Sequence, residues 1–309
     1  MRIGLSNTTS AEIAAELVRA RRRAGSPAMG MVLTLIVVTG ESEADAALDA
    51  ASTAAKEHPA RILGVILGSK RGVSQVDAEI EIATGSGGEA VLMRLQGEVA
   101  KHSESVVLPL LLPDSPVVVW WPGKAPDCPS RDPLGALAQR RITDAAAAPR
   151  GKSAAMWTQC RYYEAGNTDL AWTRLTGWRA LLAAALDQHP SRVTGAEVTA
   201  QRISPSAELL VAWLAGRLKV DVRRKVSRGP GITRVRLWTK DGEIRIDRPD
   251  GRVAMFSTPG SPDRPVALRR REVPELLAEE LRRLDPDEVY ARTAAALLKV
   301  EAEPGRAAS

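Results

Sequence analysis

Hydrophobic periodicity divides the chain into alternating strands and helices. Thr9-Ser10-Ala11-Glu12 has the pattern of a capping box, which predicts a helix with Ile13, Leu17 and Val18 as its apolar face. After a break at Gly25-Ser26-Pro27, Met31–Thr39 is a near-continuous apolar run rich in β-branched residues, the pattern of a buried strand. Ser42 to Glu57 is Ala-rich, with Ser42 as the expected cap, and His58-Pro59 ends it. Arg61–Leu67 is a second buried strand. Strand, helix and strand in such close succession predict a right-handed crossover with parallel strands. Val76–Ala83 then alternates, with Val76, Ala78, Ile80 and Ile82 against Asp77, Glu79 and Glu81, so one face is wet. The Thr84-Gly85-Ser86-Gly87-Gly88 turn returns the chain as a hairpin strand over Ala90–Leu95.

Val99 to Leu112 reads as helical despite Pro109, and Val117–Trp121 as a further buried strand ending at Pro122-Gly123. Ser153–Glu164 and Leu170–Asp187 read as consecutive helices with a stop at Gly166-Asn167. A strand over Glu197–Ile203 follows, then a helix opened by Ser204-Pro205 and running to Leu218, with Leu210, Trp213 and Leu214 inward. Short alternating strands come next: Asp221–Ser227, Ile232–Thr239, Glu243–Asp247, Arg252–Phe256 and Pro265–Leu268. Turns at Gly229-Pro230-Gly231, Asp241-Gly242 and Asp250-Gly251 separate the first four. Helices over Pro274–Leu284 and Pro286–Lys299 finish the pattern. The fold class expected is mixed α/β (α+β) in two domains, each a mixed or largely antiparallel sheet packed with helices. The expected division is 1–165, 166–300 with the Asp169–Leu186 helix joining the two, and a disordered tail over 301–309.

Charge changes the picture only in the second half. Residues 1–200 hold 21 Lys+Arg and 21 Asp+Glu, so the net charge of +6 lies C-terminal to them. Arg217 to Arg252 alone carries twelve basic residues against five acidic ones, and Arg234, Arg236 and Trp238 share one face of a strand. Such a surface suits an acidic protein, a nucleic acid or a phosphorylated ligand, and equally a solvated basic face. The stacking platform of an RNA-binding sheet is missing, because Trp238 is alone, and nucleic acid is therefore the weaker reading.

Cys128 and Cys160 form neither a disulfide framework nor a CxxC pattern, and read as reduced thiols. The three histidines, His58, His102 and His189, are dispersed, and no serine sits in a nucleophile elbow. Gly151-Lys152-Ser153 lacks the first glycine and the preceding strand of a phosphate loop. The longest apolar run, Met29 to Val38, is too short to span a bilayer, and no leader pattern opens the chain, so a cytoplasmic protein is expected. No catalytic residue, metal ligand or cofactor site is identified.

The most distinctive stretch is Asp169-Leu-Ala-Trp172-Thr-Arg174-Leu-Thr-Gly-Trp178-Arg179. Asp169 suits an N-cap, and Leu175, Trp178 and Leu182 fall on one helical face. Two Trp interleaved with Arg suit a packed core; they equally suit a partner anchor, since these types dominate interface hot spots. Adjacent Trp120 and Trp121 must point to opposite faces of their strand, which adds them to the candidates. The candidate partner-binding set is Trp120, Trp121, Asp169, Trp172, Arg174, Trp178 and Arg179.

The Asp169–Arg179 stretch resembles the signature of the glucose-6-phosphate dehydrogenase assembly proteins (OpcA-type) of actinobacteria and cyanobacteria. Leu110-Leu-Leu-Pro-Asp-Ser-Pro-Val-Val-Val-Trp-Trp-Pro122 and His58-Pro59-Ala60-Arg61-Ile62 agree, in the same order. The resemblance implies a non-catalytic activator that binds glucose-6-phosphate dehydrogenase, the NADP-linked entry enzyme of the pentose phosphate pathway, and promotes its active assembly. Two alternatives stand beside it: a nucleic-acid binder using the basic C-terminal strands, and an α/β enzyme whose site is built from dispersed residues.

Overall fold

A computed structural model describes residues 1–24, 30–82 and 89–302. The expected Gly25-Ser26-Pro27 break, the Thr84–Gly88 turn and residues 303–309 of the expected tail lie outside the described residues. The chain is mixed α/β, with nine α-helices among the described residues and sheets of eight and six strands.

A short strand β1 (Arg2–Leu5) leads into α1 (Ser10–Ala24). Thr9 is the cap: Glu12 N donates to Thr9 Oγ1 at 3.3 Å while Thr9 N donates to Glu12 at 2.9 Å, a reciprocal capping box. Ile13 and Leu17 are buried, but Val18 is 44% exposed, because its position falls off the stripe that the i, i+4 spacing of the other two defines.

Strand β2 (Leu33–Thr39), α2 (Ala44–Ala54) and β3 (Ala60–Leu67) form the expected crossover, with β2 and β3 parallel. Ser42 does not cap α2. A 3-10 turn over Glu41–Glu43 intervenes, and the helix starts from Glu43 without a side-chain cap. Strands β4 (Gln75–Ile82) and β5 (Glu89–Gln96) are the antiparallel hairpin, and β5 also pairs parallel with β3.

The helix expected over Val99–Leu112 is broken into a 3-10 turn (Gly97–Lys101), the short α3 (Ser103–Val107) and a 3-10 turn (Leu108–Leu110). Pro109 lies in the last of these, where its missing N–H and ring prevent the α-helix from continuing. Strands β6 (Val117–Trp120) and β7 (Arg140–Thr143) extend the parallel part of the sheet.

Helix α4 (Lys152–Arg161) is followed by Gly166, whose φ of +92° and contact with Gln139 O exclude a side chain. The chain then enters β8 (Asn167–Asp169), an edge strand, where the pattern gave only a helix stop. The helix expected over Leu170–Asp187 is two helices, α5 (Leu170–Thr173) and α6 (Thr176–Gln188).

Strand β9 (Val193–Gln201) starts four residues before its expected position. Ser204 caps α7 (Pro205–Leu218) by accepting from Ala207 N, with Pro205 in the first turn. Next come β10 (Val222–Ser227), β11 (Ile232–Thr239), β12 (Gly242–Asp247), β13 (Val253–Ser257) and β14 (Arg264–Ala267), then α8 (Val273–Arg282) and α9 (Glu288–Ala302).

The first sheet has the order β1-β4-β5-β3-β2-β6-β7-β8, and the second β10-β9-β11-β12-β13-β14. The second is antiparallel except that β9 and β10, joined through α7, are parallel.

The chain forms two compact units. One comprises Met1–Asp144, Gly166–Thr168 and Val273–Pro286; the other comprises Ala145–Ala165, Asp169–Glu272 and the chain from Asp287 onward. In the first unit β2 and β3 are buried on both faces, as their unbroken apolar runs require. Helix α8 packs there against α2, and its Glu280 pairs with the buried Arg140 of β7. Arg140 also donates to Asp285 O at 3.1 Å. In the second unit the inward residues of the sheet, among them Val198, Val235, Leu237, Ile246 and Phe256, share one core with Trp172, Trp178 and Leu210.

Candidate functional site

The Asp169–Arg179 segment is built around a carboxylate with no solvent access. Asp169 has extended backbone, and its Oδ1 accepts from Ala171 N at 2.8 Å, capping α5. Its Oδ2 accepts from Ala145 N at 3.0 Å, so one side chain holds two chain segments of the second unit. The α5–α6 break has a physical cause. Ala171 O accepts from the Ser206 hydroxyl at 2.8 Å and Thr173 O from the Arg271 guanidinium. In an unbroken helix those carbonyls would serve Leu175 and Gly177. Leu175 N turns instead to Trp172 O at 2.9 Å.

Trp172 is 1% exposed, and its Nε1–H donates to Asp287 Oδ2 at 2.9 Å. Asp287 Oδ1 in turn accepts from Val289 N at 2.8 Å and Tyr290 N at 2.9 Å, so the carboxylate that receives the indole also caps α9. Burial pushes the Asp287 carboxyl up, but the bonds from Tyr290 N and Trp172 and the nearby Arg179 outweigh it and leave it below its ordinary range. The Arg179 guanidinium stacks 3.8 Å from the Trp172 ring centroid. Tyr290 lies 5.7 Å from Trp172 and edge-on to Tyr163.

Trp178, 2% exposed, meets Arg248, whose guanidinium sits 4.9 Å from its ring centroid. Arg248 is buried and donates to Leu268 O and Ile232 O, both at 2.9 Å. Desolvation, assisted by neighbouring Arg270, lowers its pKa to about 10.

Trp120 and Trp121 belong to the first unit and are 1% and 2% exposed. They point to opposite faces as expected, and both faces are covered. Trp121 joins a core cluster with Val119 and Leu134.

Of the seven candidate partner-binding residues, Trp120, Trp121, Asp169, Trp172 and Trp178 are therefore buried, while Arg174 and Arg179 are half-buried. Asp169, Trp172, Trp178 and Arg179 lie in the second unit among residues that sequence reasoning missed: Asp287 and Tyr290 beside Trp172, Arg248 beside Trp178, and Ser206 and Arg271 on the carbonyls of α5. Only Asp287 carried a local signal, as an Asp immediately before a helical run.

The arginines of β11 are paired across the strands. Arg234 meets Asp247, Arg236 lies 3.0 Å from Glu243, and Arg245 of β12 lies 2.7 Å from Asp247. Cys128 is half-buried; Cys160 is buried, and desolvation, with Asp169 nearby, pushes its thiol up to about 12. Among the described residues no group of three His, Cys, Asp or Glu is placed to hold a metal ion, and no helix is long and apolar enough to cross a membrane.

Parallel α/β sheets bind ligands where the strand order reverses. In the first unit that point lies at the carboxyl ends of β2 and β6, which leave in opposite directions along the sheet. The β2–α2 turn there carries Glu41 and Glu43 in a 3-10 first turn. Glu41 pairs with Arg94 at 2.9 Å, and a side chain at Gly40 would fall 2.7 Å from the Glu43 carboxylate. The turn carries two carboxylates, one of them paired with Arg94, where a nucleotide-binding turn would receive phosphate.

These features define a two-unit α/β protein whose most distinctive residues serve packing. Two family models match it: the glucose-6-phosphate dehydrogenase subunit N-terminal domain over residues 51–159 and the C-terminal domain of the same subunit over 165–294. The chain belongs to the glucose-6-phosphate dehydrogenase assembly (OpcA) family. No curated protein matches it. Among solved structures it is similar to a 3-ketoreductase from Actinomadura kijaniata in complex with TDP-benzene and NADP, at 10% identity over 89% of this chain and 98% of that one, with a TM-score of 0.47. It is also similar to an oxidoreductase from Sinorhizobium meliloti, at 9% identity over 87% and 96% of the two chains, with a TM-score of 0.43. Likenesses this low define neither fold nor activity.

Proposed function

We propose that this chain is a non-catalytic cytoplasmic partner of glucose-6-phosphate dehydrogenase that binds the enzyme and favours its active oligomeric state. The observation that carries the reading is the family match over both halves of the chain, which includes the Asp169–Arg179 signature. The carboxylates at the β2–α2 turn support a protein that takes no dinucleotide there. In this reading the buried indoles act on the partner indirectly. Trp172 and Trp178 fix the helices of the second unit, and Trp120 and Trp121 fix the first sheet.

Activation needs only differential affinity. A protein that binds the active assembly more tightly than the inactive one shifts the population by that difference, and tenfold tighter binding is worth about 1.4 kcal/mol. The test is a titration of the purified chain into the dehydrogenase of the same organism at limiting enzyme concentration. A saturable rise in activity is expected. Glucose-6-phosphate oxidation by the chain alone, or no change at saturation, would overturn the reading.

A further inference from the structure

We infer that the outward face of the six-stranded sheet docks an acidic surface of the partner; this rests on the function proposed above. The inward residues of the sheet are sealed in the core of the second unit, while the outward ones are half-buried or exposed except Glu197, which is 2% exposed beneath its neighbours. Among the described residues, α4, α5, α6, α7 and α9 contribute to the inward core and so lie on the opposite side of the sheet.

Register places the outward residues in rows. Arg223 of β10, Glu197 of β9, Arg236 of β11 and Arg245 of β12 form one row; Lys225, Thr199, Arg234 and Asp247 form the next. Five cations therefore stand among four carboxylates: Glu197 pairs with Lys225 at 2.8 Å, Glu243 with Arg236, Asp247 with both Arg234 and Arg245, and Asp263 with Arg245 at 3.3 Å. Among the described residues Arg223 makes no ion pair. Trp238 lies across Gly195, where even a Cβ would come within 3.2 Å of the ring, so the indole rests flat against the sheet.

The occupant follows from this chemistry. A second copy would set one cationic excess against another, which is repulsive. A phosphate strand would meet the four interspersed carboxylates and a single aromatic in place of a stacking platform. A protein surface rich in Asp and Glu can meet Arg223 and the doubly shared arginines while an apolar side chain covers Trp238. Arg and Trp are also the residue types that dominate interface energetics.

The test measures binding to the dehydrogenase of the same organism, at low and moderate salt, for the wild type, Arg223→Glu and the neutralised pair Arg223→Gln/Lys225→Gln. Arg217→Glu on the exposed end of α7 serves as control. We expect Arg223→Glu to weaken binding about tenfold or more, the neutralised pair to flatten the salt dependence, and the control to stay within about twofold. Unchanged urea midpoints identify folded variants, and the milder pair decides if Arg223→Glu does not fold. Wild-type binding that all the sheet variants retain would overturn the inference while sparing the proposed function. No wild-type binding would remove both. Duplex DNA captured by the wild type and lost in Arg223→Glu, with the dehydrogenase contact intact, would assign the face to nucleic acid and overturn the inference.

Discussion

The indole N–H of Trp172 donates to Asp287 across 115 residues of sequence, at 2.9 Å, and that carboxylate simultaneously caps α9. The family signature is thus bonded to the start of the last helix. Asp287→Ala removes a helix cap and strands a buried indole donor, and should cost about 2 kcal/mol in urea unfolding. The carboxyl is held below its ordinary range, so the stability it contributes is present above the unfolded-chain pKa and is lost as pH falls through the folded value. Wild type should therefore lose stability on acidification through that range more steeply than Asp287→Asn.

At the other pH extreme, Cys160 is held protonated. Its pKa rises from 9.0 to about 12 in the folded chain, chiefly by desolvation. The unfolded chain gives up that proton first, so folding stability is complete below pH 9.0 and declines as pH rises towards 12. Cys160→Ala should flatten that alkaline decline in denaturant melts between those limits.

Thiol labelling should separate the two cysteines. Half-buried Cys128 should react with iodoacetamide at pH 8 in the native protein, while sealed Cys160 reacts only on unfolding. Mass spectrometry of native and denatured samples reads this as one adduct and then two.

The Arg140–Glu280 pair joins α8 to β7 inside the first unit, with both side chains buried. Glu280→Ala leaves a buried guanidinium without its carboxylate and should cost about 3–5 kcal/mol, whereas an apolar double replacement such as Arg140→Met/Glu280→Leu should cost far less. Paired denaturation curves measure both.

The β2–α2 turn makes its own prediction. With Glu41 and Glu43 at the sheet's switch point, millimolar NADP should leave the melting temperature of the isolated chain unchanged, since a ligand bound only by the folded state would raise it.

Much of the fold was legible because its signals are local. The apolar runs of β2 and β3, the alternation of β4 and the Thr9–Glu12 box each specify their element within a few residues. The features that were not legible depend on distant partners. The α5–α6 break comes from Ser206 and Arg271 taking carbonyls of the signature. The return of α8 to the first unit comes with a pair 140 residues apart. The candidate site was legible as composition but not as orientation. Trp and Arg favour cores and interfaces alike, and only the coordinates put Trp172 beneath Arg179 and Trp178 against Arg248.

The central claim is that this chain binds glucose-6-phosphate dehydrogenase and biases its assembly. Analytical ultracentrifugation of the dehydrogenase with and without the chain, near the enzyme's dissociation concentration, addresses it most directly. The account predicts a complex containing both proteins and a shift of the enzyme towards its larger active oligomer. Two proteins that sediment independently, with the enzyme's distribution unmoved, would contradict it.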